Sequence, residues 1–416
     1  MRSDANVSKQ GGMLVAVMMV IVVIGCLATT VMNIGSYVGV EASRDINKAN
    51  AFWTSEAGLE HVKTLIGTTR ETLADSLVLP NVITGTTSKG SYTASISNEW
   101  DNAVRVYKKY IVTSTGIVPG TIGFTNVVSM RAYLPTFARY AHTSHDERGV
   151  SFTTGDKIDG PVRVDNTLNI NGTPEFKRLV QAPIVSPANT TNNAAIFVGG
   201  IDVNPAYTNN FVDGSSYFAM IKSNASLSSG FTNSGNYIIT FLTNMFTYQT
   251  NGGLVRTNTT LMKQANGVSI YINGDVSVRG VVSGRVTVAA QRNLYITNDI
   301  VYFGGTNTVN DFLGLVASNS VTIIPTNTVN IHASILVTSG GFNAAASNKE
   351  YYAVGNRPYI NLFGSLGQYR RGVVGDTGTK GFLKNSKFDA RFEYDGPPSS
   401  ASDHYEYSGW SRVGGN

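Results

Sequence analysis

The hydrophobic pattern of the chain is strongest near its N-terminus. Met13 to Met32 form an uncharged, almost wholly apolar run, and twenty helical residues span about 30 Å, the thickness of a bilayer core. Gly67-Thr68-Thr69 is the first plausible stop. The pattern therefore predicts one continuous helix over 13–66, transmembrane over 13–32 and on the order of 80 Å long. Beyond the membrane run, apolar residues keep helical spacing as a stripe for a partner, at Val38, Ala42, Ile46, Ala49, Trp53, Leu59, Val62 and Ile66.

After the helix the pattern changes to the alternation of β-strands. Residues 91–96, 105–113 and 127–134 are rich in β-branched and aromatic side chains, and 116–123 supplies turns. Successive strands joined by short turns predict an antiparallel meander, which we assign to residues 67–140.

A different rhythm follows the meander. Short aliphatic runs are separated by Asn, Gly and Asp corners, first over 155–172 and again from 268 to 337. The spacing is too short for crossover helices and too irregular for paired hairpins. A parallel β-solenoid explains it, because each corner turns the chain and each strand stacks on the next rung. A β-sandwich with long loops is the alternative.

The predicted architecture is therefore mainly β with one long N-terminal α-helix. The helix and antiparallel meander are followed by a parallel β-solenoid (β-helix) domain over 141–340. Between about 185 and 267 the rhythm is diluted by Asn, Thr and Ser, which indicates an insertion facing a partner. Within it, Phe211-Val212-Asp213 and residues 237–242 fit strands or one helix equally. Residues 341–416 are predicted to cap the solenoid, because an open end exposes strand edges.

Composition adds little evidence for chemistry. Only 14% of the 416 residues are charged, and the net charge of +5 is not concentrated in basic runs, so no nucleic-acid partner is expected. The single cysteine, Cys26, lies in the apolar run. No intramolecular disulfide can therefore form, and the core must hold the fold together.

Three features of the N-terminus resemble type IV pilin-like proteins, particularly PilX-type minor pilins and pseudopilins. A leader over 1–12, with Arg2 and Lys9, ends in Gly11-Gly12 directly before the apolar run. A long helix follows without a break. Its exposed half carries A-F-W-T-S-E-A-G-L-E over 51–60, which is similar to the family's A-F-x-x-A-E-A-G-L-E.

Segments further along the chain resemble the solenoid-bearing members of that family. They are G-D-K-I-D-G-P-V over 155–162, G-S-L-G-Q-Y-R-R-G-V-V-G over 364–375, F-D-A-R over 388–391 and Pro397-Pro398. Phe388 stands where the family more commonly has Tyr. The insertion at 185–267 is not covered by the resemblance.

The resemblance implies processing by a prepilin peptidase between Gly12 and Met13. Many pilins carry Glu five residues into the mature chain, where this sequence has Val17, and that departure favours a minor or priming subunit. The resemblance also implies that the motif packs against other pilin or pseudopilin subunits, through Phe52, Trp53, Glu56, Gly58 and Glu60. As an alternative, Glu56 and Glu60 are solvated charges on the helix face.

The apolar N-terminus allows other interpretations. A cleaved secretory signal normally has an apolar region of about 7–15 residues, which is shorter than this run. An uncleaved signal anchor is a second possibility. A lipoprotein signal is the third, because Val23-Ile24-Gly25-Cys26 fits a loose lipobox, although the chain stays apolar after Cys26 where a polar tether is usual.

Catalytic chemistry is weakly indicated. Solenoids include pectin lyases and polygalacturonases, which need carboxylates converging on one rung, whereas Asp is also favoured at corners for its turn geometry. His142 and His145 beside Asp146 and Glu147 are the most metal-like cluster, with a polar linker as the simpler interpretation. The other candidate carboxylates are Asp156, Asp159, Asp275, Asp299 and Asp311. We expect no enzyme activity, cofactor or metal.

The sequence thus predicts a structural, non-enzymatic pilin-like protein of the bacterial inner membrane, single-pass with its C-terminal domain outside the cytoplasm, and later at the pilus or cell surface. Its head is large for a repeating subunit, which favours a minor, tip or priming role in a pilus or secretion pseudopilus, with the solenoid displayed for assembly or adhesion. Its partners would be other subunits, the peptidase, the membrane and possible surface glycans or host-cell ligands. The alternatives are a surface-anchored adhesin or glycan-binding lipoprotein, and a membrane-anchored polysaccharide lyase.

Overall fold

A computed structural model describes most of the chain, as residues 5–70, 81–98, 109–120, 123–133, 137–186, 194–207, 211, 214–227, 231–243, 245–250, 252–259, 267–345, 357–375, 380–393, 395–399 and 406–415. The predicted class, mainly β with one long N-terminal helix, is confirmed. Helix α1 runs over Ala5–Arg70, about 100 Å at 1.5 Å per residue. It therefore begins inside the predicted leader, because Gly11 and Gly12 weaken a helix without ending it.

The first sheet is antiparallel and lies beside α1. Its five strands are adjacent in the order β1-β2-β3-β4-β29, which includes the predicted meander. Two of these strands were not predicted from the sequence: β1, which precedes the first predicted strand, and β29, which returns from the C-terminus to pair with β4. The bounds are β1 Val82–Thr86, β2 Ser91–Asn98, β3 Lys109–Val118, β4 Phe124–Tyr133 and β29 Glu406–Gly415.

The remaining strands stack in two further sheets, with a second helix beside them. The bounds before the helix are β5 His142–Asp146, β6 Phe152–Thr153, β7 Lys157–Asp159, β8 Val162–Val164, β9 Thr167–Asn171, β10 Glu175–Phe176, β11 Val180–Ala182, β12 Ile184–Ser186, β13 Ile196–Phe197 and β14 Ile201–Val203. Helix α2 is Gly214–Leu227. The bounds after it are β15 Phe231–Ser234, β16 Tyr237–Thr243, β17 Met245–Thr250, β18 Arg256–Asn258, β19 Val268–Asn273, β20 Val276–Val282, β21 Arg285–Ala290, β22 Asn293–Tyr302, β23 Phe312–Ala317, β24 Ser320–Ile323, β25 Val329–Val337, β26 Gly341–Ala344, β27 Tyr359–Arg370 and β28 Leu383–Phe388. Short 3-10 turns occupy Phe137–Arg139, Gly305–Asn307 and Ala390–Glu393.

In these two sheets, the pairings between named strands are parallel except in the β16–β17–β18 hairpin. Parallel register places equivalent side chains in columns, so Ile270, Val288, Leu315 and Ile335 follow one another on β19, β21, β23 and β25. All four are fully buried. Stacked aliphatic columns of this kind form the main core of the described chain.

The order of strands in space differs from their order in the chain. Residues 142–203 form one run of stacked strands and 231–388 form another, and the runs meet where β27 pairs with β5 and β28 with β7. Buried ion pairs join them, because Glu147 pairs with Arg371, and Asp156 lies 3.5 Å from the Lys384 ammonium. The end of the second run therefore abuts the start of the first.

A second core joins the buried side chains of the first run to α2 and to residues of β19, β21, β23 and β25 in the second run. Helix α2 contributes Tyr217, Phe218 and Ile221 to it. The chain after β28 covers the same region, where Asp395 forms a buried ion pair with Arg285. Within the expected insertion, residues 237–242 belong to strand β16, whereas Val212 and Asp213 lie outside the described residues.

Candidate functional site

The exposed part of α1 is the most unusual surface of the molecule. Over Gly12–Ile66 it is long and apolar enough to cross a membrane, and it is the one helix of which this is true in the described chain. Its large apolar side chains from Met13 to Val40 are exposed. The hydroxyl of Thr29 donates to the carbonyl of Gly25 at 2.6 Å, and that of Thr30 to Cys26 at 2.8 Å. These two hydroxyls thus find partners within the helix, as a lipid environment requires.

The C-terminal part of α1 docks on the antiparallel sheet. Of the predicted stripe, Leu59, Val62 and Ile66 are buried against strands of the same chain. The prediction that the whole stripe faces a partner was therefore wrong for these three residues, since β1–β4 cover them. Trp53 and Ile46 remain exposed, and they continue the apolar surface of the N-terminal half.

Small residues permit this close approach. A β-carbon on Gly58 would overlap the Ser114 hydroxyl and the ring of Tyr92, and one on Gly116 would overlap the backbone of α1 at Ala51. The structure thus gives Gly58, predicted as a helix-packing residue, a contact with the sheet of its own chain. Helix and sheet approach to a distance that larger side chains would prevent.

An exposed aromatic cluster lies where α1 meets β29. It consists of Phe52, Trp53 and Trp410, with ring centroids 5.1 Å apart for Phe52–Trp53 and 6.0 Å for Phe52–Trp410. The indole N–H of Trp410 donates to Glu56 Oε1 at 2.6 Å. Trp53 is 67% exposed and Trp410 53%. The cluster thus combines predicted residues of α1 with one residue that was not predicted from the sequence.

Glu60 lies one turn further along α1. Its carboxylate is 2.5 Å from the Lys63 ammonium, and the backbone carbonyl of Lys63 accepts a bond from the Tyr407 hydroxyl at 3.4 Å. Glu56 and Glu60 therefore both lie where β29 is held against α1. Whether they also set the register between subunits stays a prediction.

The predicted processing residues lie in the N-terminal turns of α1. Gly12 and Met13 are helical and exposed, and Val17 is 48% exposed on the same helix. A β-carbon added at Gly12 would meet no atom within 4 Å. The position therefore has open space for a β-carbon.

The candidate catalytic carboxylates bond to residues on or beside neighbouring strands. Asp275 accepts from the backbone and side chain of Asn293, and Asp299 does the same with Asn330. Asp311 accepts from the backbone N–H of Gly284 at 2.7 Å. Asp159 lies 3.5 Å from Lys177. Within the described ranges, no group of three or more His, Cys, Asp or Glu side chains is placed to hold a metal ion.

The predicted His142–Glu147 cluster lies at the junction of the two runs. Burial alone would raise the pKa of the Glu147 carboxyl, but Arg371, the nearby His142 ring and a hydrogen bond from the Ser144 hydroxyl lower it to about 2. Burial lowers the pKa of His142 despite the opposing effect of Glu147. His145 is separate, 3.4 Å from Asp165. The cluster is therefore a buried ion pair of Glu147 with Arg371, beside a histidine whose pKa is lowered.

Comparisons with known proteins find little similarity. No family model matches the sequence, and no curated protein matches it. Among solved structures the chain is similar to a crystal structure of the competence-associated pilin ComZ from Thermus thermophilus, with 12% identity over 88% of this chain and 97% of that chain, and a TM-score of 0.33. A likeness of this size carries no argument about function, which must come from the chain's own residues.

Proposed function

We propose that this chain is a structural, membrane-inserted pilin-like protein of the PilX or pseudopilin type. The observation that carries the proposal is the division of α1 into two halves. The N-terminal half is apolar and exposed from Met13 to Val40, whereas the C-terminal half is docked on its own sheet at Leu59, Val62 and Ile66. A helix divided in this way can leave lipid for helix–helix contacts in a filament without unfolding the head.

The head is proposed to be a parallel β-solenoid mounted on the pilin-like sheet. Parallel register over successive strands and the fully buried columns support this interpretation. A head of this size would clash if repeated along a shaft. We therefore favour a minor, tip or priming subunit of a type IV pilus or secretion pseudopilus, which displays the solenoid for assembly or adhesion and is not an enzyme.

We propose that the chain is first inserted in the bacterial inner membrane, with its C-terminal domain outside the cytoplasm. A prepilin peptidase removes the leader after Gly12, and the mature chain starting at Met13 joins other pilin or pseudopilin subunits through α1. Val17, in place of the usual Glu, supports a low-copy position.

Processing is tested by comparing Gly12→Phe with the wild-type chain in the source cells. We expect the wild type to lose the leader and the variant to keep it, and no clash accompanies the change. Gly39→Phe is the matched control, since a β-carbon there also meets no atom within 4 Å. Normal processing of Gly12→Phe would contradict the proposal, as would a lipid-modified chain starting at Cys26.

The low-copy role has its own test. Quantitative mass spectrometry of purified filaments should find this chain far below the main subunit. If it were the main component, the proposed minor, tip or priming role would be wrong.

A further inference from the structure

The two ends of the stacked strands are built differently. At one end the β16–β17–β18 hairpin folds back, and aromatic rings pack beside β15, with Phe231 and Tyr248 centroids 4.6 Å apart. At the other end β12, β13 and β14 each pair on one side, with β9, β10 and β11, and the described residues place no strand beyond them. We call β12, β13 and β14 together the open end.

The buried columns continue to the open end and stop there uncovered. Val180 and Ala182 are fully buried, but their register partners on β14, Ile201 and Val203, are 37% and 53% exposed. On the neighbouring side, Phe197 stacks on the fully buried Phe176 with ring centroids 5.2 Å apart. The last layer of the core therefore ends in side chains that have a neighbour on one side.

The outer faces of the same strands are apolar as well. Ile184, Ile196 and Val198 are each more than half exposed. Edge strands of soluble proteins normally carry charges, proline or a cap, because an unpaired apolar edge recruits another strand. Stacked-repeat proteins likewise need a polar terminal repeat. The open end is therefore apolar like an internal layer of the stack, and a further strand beside it would bury its side chains.

We propose that the open end binds an extended segment of another protein, which adds a strand next to β14. The recognition chemistry is set by the register of Arg163, Gln181 and Asp202, which lie opposite one another on β8, β11 and β14. The Asp202 carboxylate also accepts a hydrogen bond from the Tyr207 hydroxyl of the same chain. The position beyond Asp202 favours Lys or Arg, because opposite charges on adjacent strands attract. Its two neighbours in sequence extend the columns of Ile201 and Val203 and are apolar.

A second copy of this chain fits the open end less well. If β14 of one molecule paired antiparallel with β14 of a second molecule about a two-fold axis at the centre of the strand, the two Asp202 side chains would lie opposite each other. Like charges directly opposite each other destabilise a strand pair. The occupant is therefore a partner segment with the pattern apolar–basic–apolar.

Binding at the open end depends on strand pairing, on the apolar columns of Ile201 and Val203 and on the charge of Asp202. It does not depend on leader processing or on filament assembly. Its failure and the failure of the proposed function are consequently distinguishable.

The experiment uses the full-length protein in detergent and a fluorescein-labelled peptide with the central sequence Thr-Val-Lys-Val-Thr. A second peptide carries Glu in place of Lys, and fluorescence anisotropy measures both affinities. We expect the Lys peptide to bind about tenfold more tightly than the Glu peptide, a difference of about 1.4 kcal/mol. Asp202→Lys should reverse the preference, and Asp202→Asn, which keeps the size of the side chain, should remove it.

Asn233→Lys on β15 is the control for position, because it introduces a lysine at the opposite end of the stacked strands and should leave the preference unchanged. Equal affinities of the two peptides for wild type and Asp202→Lys would overturn the proposal, as would no binding of the Lys peptide at millimolar concentration. Sedimentation velocity adds a further criterion. A wild-type dimer that Val203→Lys dissociates would identify a second copy as the occupant and would also overturn it.

Discussion

Replacing Glu147 by Gln tests how the two runs of strands are held together. Glu147 and Arg371 are 0% and 3% exposed, and they belong to segments far apart in the chain that meet at the β27–β5 pairing. Gln preserves the size of the side chain and its capacity to bond Ser144. It removes the negative charge, so the Arg371 guanidinium remains buried without a counter-ion.

The magnitude of the effect can be worked out in two ways. Removing one member of a buried ion pair costs about 3–5 kcal/mol. Independently, the pKa of Glu147 falls from an ordinary 4.5 to about 2 on folding, and a shift of that size corresponds to roughly 3 kcal/mol of stability. Because the pKa is lower in the folded state, this stability is present above pH 4.5 and is lost as the pH falls toward 2.

The assay is urea unfolding in detergent at pH 7, 5 and 3, with the loss of β-strand structure followed by circular dichroism. We expect Glu147→Gln to reduce the free energy of unfolding by about 3 kcal/mol at pH 7. The gap in the free energy of unfolding between wild type and variant should narrow between pH 5 and pH 3. Over that range the Glu147 carboxyl binds its proton in the unfolded chain, where its pKa is ordinary, before it does so in the folded state.

The matched control is Glu393→Gln. Glu393 lies 3.4 Å from Arg178, but both side chains are about half exposed, so the loss should stay below about 1 kcal/mol. A loss of less than about 1 kcal/mol for Glu147→Gln, or a gap that does not change with pH, would refute the reasoning.

Three further predictions concern other parts of the fold. Burial lowers the pKa of His142, so the folded state resists protonation and the wild-type free energy of unfolding should fall as the pH drops below 6.5. The free energy of unfolding of His142→Gln should fall less steeply, and the same pH dependence in both proteins would contradict this. Trp410→Phe removes the indole hydrogen bond to α1. It should lower the free energy of unfolding by about 1 kcal/mol and speed amide hydrogen exchange in β29. Trp53→Phe, at a 67% exposed position, should do neither, and equal effects of the two changes would contradict the assigned contact. Gly58→Ala creates an overlap with strands β2 and β3 and should lower the free energy of unfolding by about 1–3 kcal/mol. Gly39→Ala, in open space, should leave the free energy of unfolding unchanged or raise it. Unchanged stability of Gly58→Ala would show that α1 does not approach the sheet so closely.

The sequence was most informative where one period is sustained over many residues. The spacing from Met13 to Ile66 predicted α1, and short aliphatic runs with Asn and Gly corners predicted the stacked strands. Strand β29 was missed because its pairing with β4 contains two register irregularities, between Ser408 and Ser411 and between Arg412 and Gly414. These irregularities disrupt the alternation that identifies a strand.

The order of the strands in space could not be predicted from local pattern. Aliphatic columns pair equally well with many neighbours, so short-range pattern does not indicate that β27 lies against β5. Long-range contacts such as Glu147 with Arg371 distinguish this arrangement from others. The same limit applied to the aromatic cluster, since Phe52 and Trp53 stood out in the sequence but Trp410 joins them only through the fold.

The most direct test of the central claim is the N-terminal residue and intact mass of the protein purified from its own membranes. We predict a chain that begins at Met13, with the leader absent and the apolar half of α1 intact. A lipid-modified chain beginning at Cys26 would contradict this, because α1 would then lose half of its membrane span and the protein would be a surface-anchored lipoprotein. A chain that still carries residues 1–12 would contradict it as well.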